Sequence, residues 1–207
     1  MKEFIIKLKL DKPNDVGFLR RSVAYIIDWY IGGVLASLPL IIIYMINNDN
    51  VTIIPQNIEI FKYPLNIIVG LLSFMVAVFY YVLVPMYIYE GQTLGKKIAS
   101  LKIMSNDNLK ASRRQVFIRQ FVVILLLEGS LFTSSNMLHQ VLNVFSGVKI
   151  TTIYSRIGLF ITAISIILVI LLKSRRAIHD VISGTRVIKY KSKSCLLYTS
   201  DAADEAR

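Results

Sequence analysis

The sequence predicts an all-α fold: a polytopic membrane helical bundle of about four transmembrane helices with short cytoplasmic interfacial segments. Of its 207 residues, 55% are hydrophobic and only 18% are charged. The mean hydropathy of +0.58 is high for a chain that dissolves in water. Four separate apolar segments approach or exceed the length that a bilayer core of about 30 Å requires. We therefore expect an integral membrane protein.

The first two apolar segments are the longest. An uncharged run of 20 residues begins at Trp29, and the apolar pattern reaches back to Phe18, so a helix is predicted over 18–46. The second uncharged run has 27 residues and predicts a helix over 63–89 that is bent or ended near Pro85. Both helices are long enough to span a bilayer, the second with some tilt.

The other two segments are shorter or carry a charge. A helix predicted over 115–133 contains Glu128. A fourth helix, predicted over 154–173, rests on 16 uncharged residues. It spans the bilayer core if Arg156 and Lys173 extend their side chains to the interfaces.

The basic residues indicate how these helices are oriented. Residues 1–21 contain six Lys and Arg, residues 90–119 seven and residues 173–207 eight, against three in the other two connections. Segments rich in Lys and Arg stay on the cytoplasmic side during insertion. Both termini and the loop between helices two and three are therefore predicted to be cytoplasmic. The same distribution accounts for the net charge of +11 without a nucleic-acid partner.

Composition also predicts the domain boundaries. Residues 1–16 form a cytoplasmic N-terminal segment, in which charges alternate with Ile and Leu and which does not read as a cleaved signal peptide. Residues 17–190 form the transmembrane domain. The tail, 191–207, changes composition abruptly from about Ser194 and looks like translated sequencing-adapter read-through, so we expect no function of it.

Asp28 needs a physical explanation, because an ionisable group in a spanning helix costs several kcal/mol unless it is paired, neutralised or hydrated. Ala24, Gly32 and Ala36 recur with it every four residues and form a face of small side chains that permits close helix approach. We expect Asp28 to face a partner helix, and this face to allow dimerisation. Arg21 lies two turns earlier, about 10 Å along the axis, so a direct pairing needs both side chains extended, and otherwise water or another helix's group intervenes.

The carboxylates leave two interpretations open. Asp28 with Arg21 either locks the register of the bundle or takes part in moving protons or ions. Glu128, about two and a half turns after Arg119, is a second intramembrane carboxylate. If its helix begins later than predicted, Glu128 lies near a helix boundary instead.

The connection between helices two and three contains Leu94, Ile98 and Leu101 at helical spacing, which predicts an interfacial helix. Its glycine spacing does not match a phosphate-binding loop, so nucleotide binding is not expected. Residues 102–104 and 186–188 each consist of one basic residue followed by two apolar residues. Each triplet comes after a polar turn that contains glycine. These two triplets are predicted to pair as short cytoplasmic strands.

His179 and Asp180 follow the fourth helix. A metal site is not expected, because the only other histidine, His139, falls on the opposite side in this topology. Asp180 is expected to pair with a local arginine such as Arg176, to cap a turn, or to meet a basic group of another helix.

Three spaced motifs resemble the RDD family of bacterial membrane proteins, which is named for an arginine and two aspartates. The sequence RSVAYIID resembles the family's first motif, GQTLGKKIASLKIM its middle motif and HDVISGTRVIK its closing motif. The resemblance covers about residues 17–190, but Glu128 is not part of the pattern. It places on family positions Arg21, Asp28, Gly91, Thr93, Gly95, Lys96, Arg119, Asp180, Gly184 and Thr185.

The resemblance implies a protein of the bacterial inner membrane, and some members of the family are linked to sodium or proton exchange. The leading hypothesis is transport of a small cation or proton, with Arg21, Asp28, Glu128 and Asp180 as the possible ion site. The alternative is a module that binds or stabilises another membrane protein, with the same residues holding the fold. An intramembrane aspartyl protease would need the carboxyl groups of Asp28 and Asp180 in contact.

We accordingly expect no enzymatic activity, no cofactor and no metal. The expected partners are the lipid bilayer, a second copy of the chain or another membrane protein, and Na⁺ or H⁺.

Overall fold

The computed structural model describes residues 16–48, 56–129, 133–148 and 150–190. Most of the N-terminal segment and the adapter-like tail lie outside the described residues. The helices are α1 (Phe18–Asn47), α2 (Leu65–Val78), α3 (Leu94–Ile98), α4 (Arg113–Phe117), α5 (Thr133–Ser146), α6 (Ile150–Leu171) and α7 (Ile178–Ile182), and the strands are β1 (Leu101–Ser105) and β2 (Thr185–Lys189). Two π-helical segments, Phe79–Ile88 and Ile118–Leu127, continue α2 and α4, and a 3-10 turn covers Ile58–Ile60.

Three helices in the described part of the chain are long and apolar enough to cross a membrane. They are Phe18–Asn47, Leu65–Ile88 and Ile150–Leu171, with 30, 24 and 22 residues. At 1.5 Å per residue, even the shortest reaches about 33 Å in regular α geometry. The predicted helical membrane bundle is confirmed.

The helix predicted over 115–133 is interrupted. α4 and its π-helical continuation end before Glu128, and α5 begins at Thr133. Leu125 packs in a cluster with Ala36 of α1, whereas a residue of α5, Met137, packs with Leu40 one turn further along α1. α4 and α5 therefore cross the bundle in series. The break falls at a glycine and a Ser- and Thr-containing stretch, which are poor helix interiors.

The predicted strand pair is confirmed. β1 and β2 are antiparallel, with Lys102 opposite Ile188 and Ile103 opposite Val187. The interfacial helix is shorter than predicted, because α3 has five residues and Leu101 belongs to β1.

The three basic segments of the sequence meet at one end of the bundle. Val16 before α1, Ala24 in α1, Leu101 in β1 and Val187 in β2 form one buried cluster. The start of α1, the connection between α2 and α4, and the segment after α6 therefore lie together at this end.

The small-residue face of α1 is buried, as its spacing predicts: Ala24, Asp28, Gly32 and Ala36 are all inside the structure. Its partner is the same chain, because an added Cβ at Gly32 would overlap the ring of Tyr81. The expectation that this face mediates dimerisation is wrong, since the face is already covered.

Candidate functional site

Asp28 is a buried carboxylate with four hydrogen-bond donors, and only 4% of the residue is exposed. Tyr80 Oη and the backbone N–H of Gly95 each donate to Oδ1 over 2.8 Å. Thr93 Oγ1 donates to Oδ2 over 2.5 Å and Lys96 Nζ over 3.3 Å. Both oxygen atoms of the Asp28 carboxylate are therefore engaged.

Local backbone geometry brings these donors to α1. Tyr80 and Tyr81 are consecutive residues of a π-helical segment, a wide helical turn that is frequent at functional sites. Both hydroxyls reach Asp28, since Tyr81 Oη donates to its backbone oxygen over 2.8 Å. At Gly95 an added Cβ would lie 2.8 Å from Asp28 Cγ, so only glycine lets α3 come this close.

Lys96 supplies the positive charge next to Asp28. Its Nζ also donates to Thr93 Oγ1 over 3.2 Å. Burial lowers the pKa of Lys96 below its ordinary value, and the Asp28 carboxylate opposes that change by favouring the charged amine.

Asp180 is fully buried and forms a second charged cluster. Arg119 Nη1 donates to Oδ1 over 2.5 Å, Arg21 Nη1 to Oδ2 over 3.2 Å, and the backbone N–H of Ala177 to Oδ2 over 3.1 Å. Burial by itself would raise the pKa of Asp180, but the charges of Arg119 and Arg21 hold it well below its usual range. The described ion-pair partner of Arg21 is thus Asp180 and not Asp28.

The turn between α7 and β2 holds Asp180 in place. Arg176 donates from Nη2 to the backbone oxygen of Asp180 over 3.1 Å and from Nε to that of Thr185 over 3.2 Å. Arg119 Nη1 also reaches Thr185 Oγ1, at 2.9 Å. Gly184 links the two elements with φ +65°, a conformation that favours glycine. Asp180 thus caps a turn and meets other helices, whereas Arg176 contacts its backbone.

Gly91, in the motif GQTLGKKIASLKIM, resembles Gly184 in having a backbone conformation that favours glycine. Its φ is +95°, and an added Cβ would lie 2.6 Å from the backbone oxygen of Ile103. The backbone oxygen of Gly91 accepts a hydrogen bond from the Ile103 N–H over 2.8 Å, which fixes the position of β1.

Glu128 lies at the break between α4 and α5. Its Oε1 accepts from Ser165 Oγ of α6 over 2.5 Å, and its Oε2 lies 2.8 Å from His179 Nδ1. Thr162 Oγ1 donates to its backbone oxygen over 3.3 Å. Only 6% of Glu128 is exposed, so its carboxyl group depends on these neighbours for hydrogen bonds.

A cavity of about 230 Å³ connects the clusters. The Asp180 carboxylate lies directly behind its wall, bound to Arg21 and Arg119. The ionisable side chains along the wall, apart from tyrosine, are Arg21, Asp28, Lys96, Arg119, Glu128 and His179.

Sequence reasoning missed four contributors to this site: Tyr80, Tyr81, Ser165 and His179. A buried tyrosine hydroxyl needs a hydrogen-bond partner, so two adjacent tyrosines in an apolar run were an available signal. For His179 the sequence raises only the question of a metal site. Within the described residues, no group of three or more His, Cys, Asp or Glu could hold a metal ion.

A family model described as RDD family matches residues 16–184. The chain belongs to the RDD family. The matched region of this RDD protein contains Arg21, Asp28, Glu128 and Asp180. No curated protein and no solved structure matches the chain closely enough to support an argument.

Proposed function

We propose that this RDD-family membrane protein moves protons, and that Glu128 and His179 form the group that accepts and releases them. The observation that carries the proposal is the 2.8 Å contact between Glu128 Oε2 and His179 Nδ1 on the wall of the cavity. Histidine is the side chain whose ordinary pKa lies near physiological pH. Intramembrane carboxylates and interrupted helices are both typical of proton and ion pathways.

Asp28 and Asp180 serve a different purpose in this proposal. Each carboxylate is bound by cations and by backbone N–H donors, so it holds elements of the bundle together. A sodium ion would have to displace Lys96 from Asp28, or two guanidinium groups from Asp180. The geometry therefore favours H⁺ over Na⁺ as the transported ion.

We place both termini in the cytoplasm and the protein in the inner membrane of a bacterium. One feature of the fold supports this orientation. The segments richest in Lys and Arg meet at one end of the bundle, and such segments are retained in the cytoplasm. Oligomerisation would have to use a surface other than the small-residue face of α1.

The alternative is an assembly module that binds another membrane protein and transports nothing. The engagement of both carboxylate oxygens of Asp28 and of Asp180 favours it, because buried carboxylates that are paired with cations and N–H donors hold packed elements in place. We propose no enzymatic activity, since Asp28 and Asp180 bind separate sets of partners and do not form the shared site of an aspartyl protease.

Proton flux in proteoliposomes tests the proposal. The purified protein is reconstituted with an internal pH-sensitive dye, and a pH gradient is imposed with and without Na⁺. We expect Glu128→Gln and His179→Gln each to reduce flux by about tenfold or more, as loss of a proton-transfer group typically does. Glu59→Gln, at an exposed carboxylate, is the matched control and should leave flux unchanged.

Size-exclusion profiles in detergent establish that each variant is folded. If the folded wild-type protein carries no flux, or if folded Glu128→Gln carries wild-type flux, proton transport through this pair is wrong and the assembly module is favoured.

A further inference from the structure

The length of α1 indicates which part of it lies among the lipid headgroups. Its 30 residues extend about 45 Å, which exceeds the hydrocarbon core of a bilayer by about 15 Å. Asp28 is the last charged residue of α1, and the two residues after it, Trp29 and Tyr30, are 44% and 66% exposed. Exposed aromatic residues of this kind mark the boundary between headgroups and hydrocarbon. The turns of α1 before Asp28 therefore lie at the level of the headgroups.

α3 and the two strands lie at the same level. α3 donates a backbone N–H to the carboxylate of Asp28. Leu101 of β1 and Val187 of β2 pack with Ala24 of α1. These elements are thus beside the headgroup part of α1. Ile98, the last residue of α3, is 66% exposed there, as is typical of an apolar side chain that meets lipid.

Three basic side chains at this level lie over tyrosine rings. We call them the cation–tyrosine cluster, and the pairs are Lys97 with Tyr89, Lys102 with Tyr190 and Arg113 with Tyr87. Each charge is 4.0 to 4.9 Å from the centre of its ring. The ring attracts one side of the cation and leaves the other side free to meet an anion.

The three pairs are close together. Tyr87 belongs to the last turn of the helical segment that continues α2, and Tyr89 follows that segment directly. The backbone N–H of Tyr190 donates over 2.9 Å to the oxygen of Ser100, which is three residues after Lys97. The cluster therefore forms one surface at the end of α2.

The acids at this end of the bundle do not neutralise the cluster. Asp28, Glu128 and Asp180 are buried and bound to other groups. Glu90 pairs with a different cation, that of Lys110. In the described part of the chain, Asp107 is the one remaining acid at this end. Exposed cations at this end that form no ion pair among the described residues are Arg20, Lys97, Arg113, Arg114 and Lys173.

We propose that the cation–tyrosine cluster binds the headgroup of an anionic phospholipid, with Lys97, Lys102 and Arg113 as its principal contacts. The position of the cluster favours a lipid over a soluble polyanion. Ile88 and Ile98 are 54% and 66% exposed beside it, so one phospholipid can cover apolar side chains with its acyl chains and meet the cations with its phosphate. A zwitterionic lipid brings a positive group with its phosphate, so an anionic lipid is preferred. The inference goes beyond proton movement and does not depend on it.

Lipid retention in detergent tests the proposal. The purified full-length protein is titrated with phosphatidylglycerol, which carries one negative charge, or with phosphatidylcholine, which is neutral overall. Native mass spectrometry measures the fraction of protein that retains a lipid. Each basic residue near an anionic surface strengthens binding by roughly fivefold. We therefore expect half-saturation at about tenfold lower concentrations of phosphatidylglycerol, and a smaller preference as salt is raised.

Two double variants remove the same charge from opposite ends of the bundle. Lys97→Gln combined with Arg113→Gln removes two members of the cluster, and should abolish the preference for phosphatidylglycerol. Lys62→Gln combined with Arg156→Gln removes two exposed cations near the ends where α2 and α6 begin, and should keep it. Size exclusion establishes folding. If the first double variant does not fold, Lys97→Gln alone replaces it and should lower the preference by roughly fivefold.

Four other results would each overturn the proposal. Equal retention of the two lipids by the wild type would show that the anionic headgroup is not recognised. An unchanged preference in the folded cluster variant would place lipid binding elsewhere. An equal loss in both double variants would reduce the effect to long-range attraction by net charge. Displacement of phosphatidylglycerol by soluble glycerol phosphate or by RNA at equal concentration would make the occupant a soluble anion. Because retention is measured without a proton gradient, failure of this inference and failure of the proposed function are distinguishable.

Discussion

Arg119 Nη1 lies 2.5 Å from Asp180 Oδ1, and each of these side chains is at most 2% exposed. This contact joins α4 to the segment that follows α6, and Arg21 of α1 approaches the same carboxylate. Buried charges such as these are tolerated because they neutralise one another. Removal of one therefore leaves the others buried and unpaired.

Asp180→Asn should destabilise the bundle strongly. The substitution keeps the shape of the side chain but leaves two guanidinium groups without their counter-charge. Breaking a buried ion pair in this way costs about 3–5 kcal/mol. A thermal melt of the detergent-solubilised protein, followed by size exclusion, measures the loss.

An exposed ion pair provides the control for that experiment. Lys110 Nζ lies 2.6 Å from Glu90 Oε1, and more than half of each side chain is exposed. Solvent screens such pairs, so Glu90→Gln should leave the melting temperature unchanged. Similar losses in the two variants would contradict the view that burial makes the Asp180 cluster important.

The contribution of Asp180 to the stability of the folded protein should depend on pH. In the folded protein, burial acts to raise the pKa of Asp180, but the charges of Arg119 and Arg21 lower it below the unfolded value. The folded state therefore binds fewer protons, and its stabilisation is complete above the unfolded pKa of about 4 and declines below it. The difference in melting temperature between wild type and Asp180→Asn should be constant from about pH 7 to about pH 5 and shrink on further acidification. If the difference in melting temperature instead grew in acid, the folded state would bind more protons than the unfolded state, contrary to this prediction.

Two consecutive glycines of α1 should respond differently to the same substitution. A Cβ at Gly32 would overlap the ring of Tyr81, whereas a Cβ at Gly33 would lie 3.5 Å from Thr133 Oγ1, an ordinary contact. We expect Gly32→Ala to destabilise the protein by about 1–3 kcal/mol through overpacking. Gly33→Ala should be neutral or slightly stabilising, since alanine favours helix. Equal melting temperatures would indicate that α1 and α2 do not pack at this distance.

The strand register predicts where a disulfide will form. Lys102 and Ile188 are directly opposite in the antiparallel pair, and such residues have Cα atoms about 4.5–5.5 Å apart, within disulfide range. In a Cys195→Ser background, Lys102→Cys combined with Ile188→Cys should form a cross-link on mild oxidation, seen as a mobility shift on non-reducing gels.

Moving the second cysteine by one position tests the register itself. Lys189 is the next residue along β2, and its side chain points to the other face of the sheet. Lys102→Cys combined with Lys189→Cys should cross-link poorly. Efficient cross-linking of that pair, and not of the first, would place the strands one residue out of register.

The sequence was sufficient to predict features that repeat along a single element. The four-residue spacing of Ala24, Asp28, Gly32 and Ala36 identified the buried face of α1, because residues at that spacing share one side of a helix. The basic and apolar triplets likewise identified β1 and β2, because each strand has its own local pattern.

Partners that are distant in the sequence left no such pattern. Asp28 meets Tyr80, Gly95 and Lys96, which are 52, 67 and 68 residues away. One sequence cannot show which donor approaches which carboxylate, since that depends on how helices pack. The resemblance to the RDD family ordered the motifs along the chain but did not show that Arg21 pairs with Asp180.

The break between α4 and α5 was only partly predictable from the sequence. The polar residues after Glu128 indicated that the helix loosens there. They did not show that α5 resumes along the same path, because its polar side chains, such as Gln140, resemble those of a loop. In the structure Gln140 Oε1 accepts from the backbone N–H of Ile58 over 2.8 Å, a long-range contact that only the folded chain defines.

The ion pair between Arg21 and Asp180 joins residues that are 159 positions apart in the sequence, so it cannot form early in synthesis. A ribosome delivers α1 to the translocon long before it has made α7. During that interval the guanidinium of the first helix has no carboxylate from its own C-terminal region to neutralise it. Docking of the newly made α7 ends this interval, so final assembly of the bundle must follow translation of nearly the whole domain.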